Sequence, residues 1–223
     1  MYGNGQTELA EVIMGLCKIE SGQIIYKGKD LSEVSTRQRR NRKISNVPAD
    51  RHRFGLILPM KVSENMILGF HDEKPYVRGI NLALNVIQDY SEKLVDDFDI
   101  RAPGVDVPVG NLSGGNQQKV ILAREFSRNP DFLLIVQPTR GLDVGAIEYI
   151  HSQILKMRDN NVGILLISLE LEEVFSLSDR ILVLYEGEIV KKFVPEETTD
   201  KEVGFYMTGG KKPAVGEQEW ACR

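Results

Sequence analysis

The stretch Leu112-Ser113-Gly114-Gly115-Asn116-Gln117-Gln118-Lys119 sets the terms for the rest of this chain. It is a Ser-Gly-Gly turn running into a segment, 117–128, that reads as a helix. Such a turn leaves several backbone N–H groups pointing out of the helix start, at the positive pole of the helix dipole. An anion fits there without a side-chain cation. A bare Ser-Gly-Gly reads first as an ordinary glycine loop and helix start, so the anion-site reading depends on its companions.

The chain has 223 residues, 42% of them hydrophobic, enough for one or two domains with a real core. Its net charge of −4 gives no general electrostatic case for nucleic acid. Arg37, Arg39, Arg40, Arg42 and Lys43 form a basic run. Given the acidic balance and few neighbouring aromatics, it reads as the solvated face of a short helix. Cys17 and Cys222 match no metal or disulfide spacing, and Cys17, after an apolar helical run, reads as a buried thiol. Neither a signal peptide nor an apolar run of ~18–20 residues is evident, so a cytoplasmic protein that reaches a membrane only through a partner is expected. No repeat of 20–50 residues occurs.

Gly3-Asn4-Gly5-Gln6-Thr7 fits the second half of a phosphate loop, G-x-x-x-x-G-K-[ST], in which backbone amides wrap phosphates, Lys reaches the outer ones and Ser/Thr meets Mg²⁺. Gln6 stands where the Lys belongs, and alone the string is a plain turn before a helix. Leu9, Val12, Ile13 and Leu16 mark one face of that helix. Residues 21–29 read as a strand ending in a turn, and Ile44 to Pro48 as a short strand entering the loop 49–56, whose His52 is read as a surface residue. Val62 to Leu68 suggests a helix capped by Ser63. A longer amphipathic helix is expected over 79–98, with Ile80, Leu84, Ile87, Leu94 and Phe98 on one face. The apolar run Phe132 to Val136 reads as a buried parallel strand, and 163–168 as another. Helices are expected over 144–159, 171–178 and 199–207, with a hairpin between Arg180 and Val194. From Gly209 onward the chain reads as a flexible tail containing Trp220.

Leu112 to Lys119 resembles the signature motif of ATP-binding cassette (ABC) ATPases, in the Asn-Gln-Gln-Lys variant of sugar and nucleoside importers. Pro138 to Ala146 is similar to the same family's D-loop, with Asp143, which read alone could equally cap a helix. Val47-Pro48-Ala49-Asp50-Arg51 resembles its Val-Pro-Glu-Asp-Arg string. The resemblance covers about residues 1–208. It implies an α/β P-loop NTPase (RecA-like) fold: a parallel sheet with antiparallel edge strands and an inserted helical subdomain, its N-terminal strands truncated. The divisions it implies are 1–48, first part of the nucleotide-binding core; 49–111, Q-loop region and helical subdomain; 112–208, signature helix and second part of the core; and 209–223, the tail. Because the match begins inside the phosphate loop, it also implies a fragment of a longer tandem protein or a truncated frame, marginally stable alone.

Four positions depart from the family together. Gln6 replaces the Lys, Val136 the metal-holding Asp, Gln137 the water-polarising Glu, and Leu169 the His beside the γ-phosphate. Phosphoryl transfer rests on positioning and charge neutralisation, so this site should bind nucleotide weakly and catalyse nothing in cis. The resemblance leaves Gly3, Asn4, Gly5 and Thr7 as a degenerate phosphate loop, with Thr7 a weak ligand for Mg²⁺. Leu112, Ser113, Gly114, Gly115, Asn116 and Gln117 would act in trans on ATP held by a second cassette. The expected partners are that cassette and transmembrane permease subunits, met through 51–65, at the cytoplasmic face of the membrane, with no nucleic acid. The strings Val136 to Glu148 and Ile167 to Glu173 look most like nucleoside-type importers. The alternative is a non-catalytic nucleotide-binding or regulatory module, or an inert truncated fragment.

Overall fold

The structure, a computed structural model, describes residues 3–210. Most of the expected tail, 211–223, including Trp220, lies outside the described residues. The described chain forms two compact units, 8–177 and 3–7 with 178–210.

The larger unit is organised by three parallel strands in the order β3-β6-β7. β3 is Ile44–Val47, β6 Phe132–Val136 and β7 Gly163–Ile167. β6 is central, which is why it is apolar at every position. Its side chains alternate between two faces. Leu133 and Ile135 join a cluster with Val120, Ile121, Ile150 and Ile154. Leu134 and Val136 join another with Met14, Leu31, Ile44 and Ile167. Each buried Leu or Ile in these clusters contributes about 1.5–3 kcal/mol relative to exposure.

Before β3 come α1 (Gln6–Met14), the short antiparallel pair β1 (Ile25–Tyr26) and β2 (Lys29–Asp30), and α2 (Thr36–Asn41). Ser35 caps α2 in a reciprocal capping box with Gln38. Three expectations change here. Leu9 and Leu16 are exposed, and α1 packs instead through Ala10, Ile13 and Met14. Cys17 is an exposed thiol that donates to Glu11 at 3.2 Å. Arg39 is not solvated: it is 1% exposed and donates to the carbonyls of Val12, Ile13, Leu31 and Val34. Four carbonyl partners make burial of a guanidinium tolerable.

Between β3 and the signature stretch lie α3 (Val62–Met66), the two-residue strands β4 (Val77–Arg78) and β5 (Asn81–Leu82), and α4 (Leu84–Asp97). Ser63 is buried inside α3, and Lys61 is the capping residue, its N–H held by Glu64. The helix expected from Gly79 starts at Leu84, because the chain reverses at Gly79-Ile80, with Gly79 at φ +64°. Ile80 is therefore 99% exposed at the turn, and Leu84 is exposed, while Ile87 and Leu94 are buried. Tyr90 of α4 bonds Ser127 at 2.7 Å. After β6, α6 (Val144–Asp159) leads to β7, and α7 (Leu171–Leu177) closes the unit.

The smaller unit holds the hairpin of β8 (Ile181–Tyr185) and β9 (Glu188–Phe193), with a register shift at Val183/Leu184. α8 (Asp200–Met207), capped by Thr199, packs there, with Tyr206 edge-on to Phe193. Residues 3–5 are tied to the hairpin turn: Asn4 accepts from the N–H groups of Glu186 and Gly187.

Candidate functional site: the start of the signature helix

The Ser-Gly-Gly turn opens α5, Gly114–Phe126, with Ser113 as N-cap. Gly114 and Gly115 occupy the first two helical positions, whose N–H groups have no carbonyl a turn earlier to bond. The Ser113 hydroxyl accepts from the Asn116 amide at 3.5 Å and from Asn116 Nδ2 at 3.0 Å. Its acceptor capacity is thus engaged, and its O–H is left to donate. Asn116 is held in turn, because its Oδ1 accepts from Arg101 N–H at 2.8 Å.

Both glycines have close neighbours. A Cβ on Gly114 would meet Arg51 Nη2 at 2.9 Å, and one on Gly115 would meet Ala146 Cβ at 3.2 Å and Asp143 Oδ2 at 3.8 Å. The fold thus brings Asp143 to the glycine turn. Asp143 also caps α6, accepting from Ala146 N–H at 2.9 Å, so it has the capping role that the sequence left open.

The helix start is anchored from three sides. Gln117, 6% exposed, donates to Leu112 O at 3.0 Å and accepts from His52 Nε2 at 2.9 Å. His52 is exposed, as its reading as a surface residue expects, and its ring also bonds the signature helix. The turn that carries it, 51–55, is capped by Asp50, whose carboxylate takes the N–H groups of His52 and Arg53. Those two hydrogen bonds, that of Arg53 first, hold the Asp50 carboxyl below its ordinary range. Arg51 donates to Arg140 O at 3.3 Å. Lys119 Nζ bonds Asp99 O at 2.6 Å and Oδ2 at 2.7 Å and sits 4.1 Å over the Tyr149 ring. The Lys119 hydrogen bond lowers the Asp99 pKa, and burial pushes the Tyr149 hydroxyl up to about 12. Asp50 two positions before His52 is the one local signal for this turn; the reach of Arg51 and His52 to α5 has none.

The sheet end shows what is absent. Val136 ends β6 in register with Ile167, and Gln137 N–H bonds Ile167 O at 2.8 Å. Val136, Gln137 and the half-buried Leu169 follow these strands without a carboxylate or imidazole. In the smaller unit, Gly3 and Gly5 take φ of +103° and +99°, and Gln6 opens α1. Gln6 Oε1 folds back to accept Asn4 N–H at 3.1 Å. This consumes an amide that a phosphate would need. Thr7 is exposed, and among the described residues no group of three His, Cys, Asp or Glu could hold a metal.

A parallel sheet with an inserted helical segment and a glycine-capped helix between two strands defines an ATP-binding cassette of the P-loop NTPase class. The ABC transporter family matches residues 2–140, and the chain belongs to it. It is similar to the nucleoside import ATP-binding protein NupA of Lactococcus lactis, 47% identical over 93% of this chain and 41% of that protein. It is also similar to the guanosine import ATP-binding protein NupO of Bacillus subtilis, 42% identical over 96% of this chain and 42% of that protein. The chain thus spans about two fifths of the length of these relatives. Among solved structures, a nucleotide-free ATP-binding cassette from an ABC transporter superposes with a TM-score of 0.76 at 23% identity, covering 97% of this chain and 86% of that one. No helix among the described residues is long and apolar enough to cross a membrane.

Proposed function

We propose that this chain serves an importer of nucleosides or simple sugars as a cassette that completes another cassette's ATP site. The observation that carries this reading is the donor arrangement at Ser113-Gly114-Gly115. The turn offers one hydroxyl and two backbone N–H groups outward, at the positive end of a 13-residue helix. Its own phosphate loop has spent an amide on Gln6, and its strand ends carry no carboxylate. The import function is supported by the names of the similar proteins.

In this reading ATP and its Mg²⁺ are held by the partner cassette. Ser113 Oγ and the amides of Gly114 and Gly115 donate to the γ-phosphate as charge builds on it, and the partner's surface keeps out bulk water while the partner's own groups hold the one attacking water. Asp143, beside Gly115, carries the state of that site into α6. Permease subunits meet the stretch after Asp50, where Phe54 and Ile57 are exposed; Asn65, expected on that surface, is fully buried and braces the loop through Ile57. The protein then acts peripherally at the inner membrane face.

The test is steady-state ATP turnover of a catalytically intact cassette mixed with this chain. The chain alone should hydrolyse no ATP, and the mixture should exceed the intact cassette alone. Ser113→Arg should remove that gain, a loss of roughly 10²–10³ in kcat. No gain with a partner, or a gain untouched by Ser113→Arg, refutes the reading and leaves a non-catalytic module.

A further inference from the structure

At the C-terminal end of α5, about 20 Å along the helix from Ser113, there is a cavity of about 340 Å³. It is lined by Arg37, Arg40, Asn41, Lys43, Glu73 and Arg128, four cations against one carboxylate. Each cation has a partner: Arg37 with Asp72, Arg40 with Glu125 at 3.0 Å, Lys43 with Asp131 at 3.8 Å, and Arg128 with Glu73 at 3.6 Å. Two of those carboxylates are shared, however. Glu125 also takes Arg124 at 2.9 Å, and Asp131 also takes Lys27 at 2.6 Å. Six cations therefore divide four carboxylates, and two positive charges are left over in a chain whose net charge is −4.

The hydrogen bonds show the same deficit. Arg40 Nε and Arg128 Nη1 are buried without an acceptor, and both side chains are walls of this cavity. A buried donor left unpaired is destabilising, more so when charged. Arg128 is held in place by the Phe70 ring, 4.5 Å from its guanidinium carbon, so its guanidinium is a fixed part of the wall, with Nη1 turned away from solvent. Asn41 adds an amide.

We propose that this cavity binds a phosphate-class dianion carried on a small organic molecule, a phosphate monoester. A dianion matches the two surplus charges, where a single carboxylate would leave one. Its oxygens supply several acceptors in the geometry that guanidinium groups favour. The volume lies at the small end of ligand pockets, ~300–1,000 Å³, which leaves room for an organic remainder. The site stands apart from the Ser113 turn and does not depend on the function proposed for it.

The full chain is titrated at constant ionic strength with inorganic phosphate and with ribose 5-phosphate, followed by calorimetry. Saturable binding of both is expected, with the monoester at least as tight. Arg37→Gln and Lys43→Gln, at mostly exposed side chains that the fold does not need, should each weaken binding about tenfold or more, as loss of one charged hydrogen bond implies. Arg128→Gln should weaken it further, and Ser113→Arg should leave it unchanged. Three results overturn the proposal. One is no saturation of the wild-type chain by about 20 mM, an affinity weaker than ~2.5 kcal/mol. Another is an affinity indifferent to Lys43→Gln and Arg128→Gln. The third is a loss with Ser113→Arg, which places the anion at the helix start.

Discussion

Glu125→Gln tests how the far end of the signature helix is held. The Glu125 carboxylate, 1% exposed, accepts from Arg40 Nη2 at 3.0 and 3.2 Å and from Arg124 Nε at 2.9 Å. Arg124, also buried, donates onward to Gly55 O at 2.8 Å and Asn65 O at 3.3 Å. An amide of the same shape keeps part of the hydrogen bonding but leaves two guanidinium groups without their counter-charge. At an effective dielectric of about 20, one pair of unit charges ~4 Å apart is worth about 4 kcal/mol. Arg124 is felt nearly in full, whereas Arg40, about a quarter exposed, is partly screened. Stranding buried charges in this way should cost about 3–5 kcal/mol, and in a chain of this length lower Tm by roughly 6–20 °C. The pH dependence follows the same charges. Burial alone would raise the carboxyl pKa, but Arg124 and Arg40 outweigh it and hold it below the ordinary value. The stabilisation is then complete above the unfolded carboxyl pKa of about 4.3 and is lost as pH falls through the lower folded value. Urea unfolding of both proteins between neutral and acid pH measures this. A loss below about 1 kcal/mol at neutral pH, or an acid limb equally steep in Glu125→Gln, would refute the reasoning.

Two further perturbations separate the features described above. Gln6→Lys frees Asn4 N–H and adds a cation, so binding of a fluorescent ATP analogue should tighten by roughly tenfold, one charged hydrogen bond of about 1.4 kcal/mol. Turnover should stay absent because Val136 and Gln137 supply no carboxylate; hydrolysis by this single variant alone would contradict the account of the site. The Glu11 hydrogen bond raises the Cys17 thiol above its ordinary value, so Glu11→Gln should enlarge the thiolate fraction and speed iodoacetamide labelling at pH 8 by a few-fold. An unchanged labelling rate would show that the contact has no hold on the thiol.

Some of this was legible in the sequence because it is local. β6 declares itself by five consecutive apolar residues, and α6 by Asp143 and a clear period; the structure gives both the expected bounds. The glycine turn at Ser113 needs only its own residues and the helix after it. What failed depends on distant partners. Ile80 and Leu84 continue the period of α4, yet the chain turns at Gly79 and no surface covers them. Leu9 and Leu16 have helical spacing, but α1 ends at Met14, before Leu16, and packs through the face of Ile13 and Met14 instead. Arg39 looks like one more member of a solvated basic run, and only four carbonyls from residues 12–34 make its burial possible. Periodicity says which residues share a face, not whether anything meets that face.

The two glycine-rich turns of this chain show why composition alone could not assign the anion site. Gly3 and Gly5 precede the start of α1, whereas Gly114 and Gly115 are the first two residues of α5, and each turn holds a short polar side chain. They differ in which hydrogen-bonding groups are used up internally. In Gly3-Asn4-Gly5-Gln6, a donor is consumed: Asn4 N–H goes to Gln6 Oε1. At Ser113-Gly114-Gly115-Asn116, an acceptor is consumed: Ser113 Oγ takes both donors of Asn116. An anion recruits donors and has no use for acceptors. The first turn has thus spent the backbone amide of Asn4, whereas the second spends the Asn116 donors and keeps the amides of Gly114 and Gly115 and the Ser113 O–H. His52 through Gln117, and Lys119 through Asp99, then fix the second turn in place. In the proposed reading, the donors that phosphoryl transfer demands are therefore those around Ser113 rather than those around Gln6.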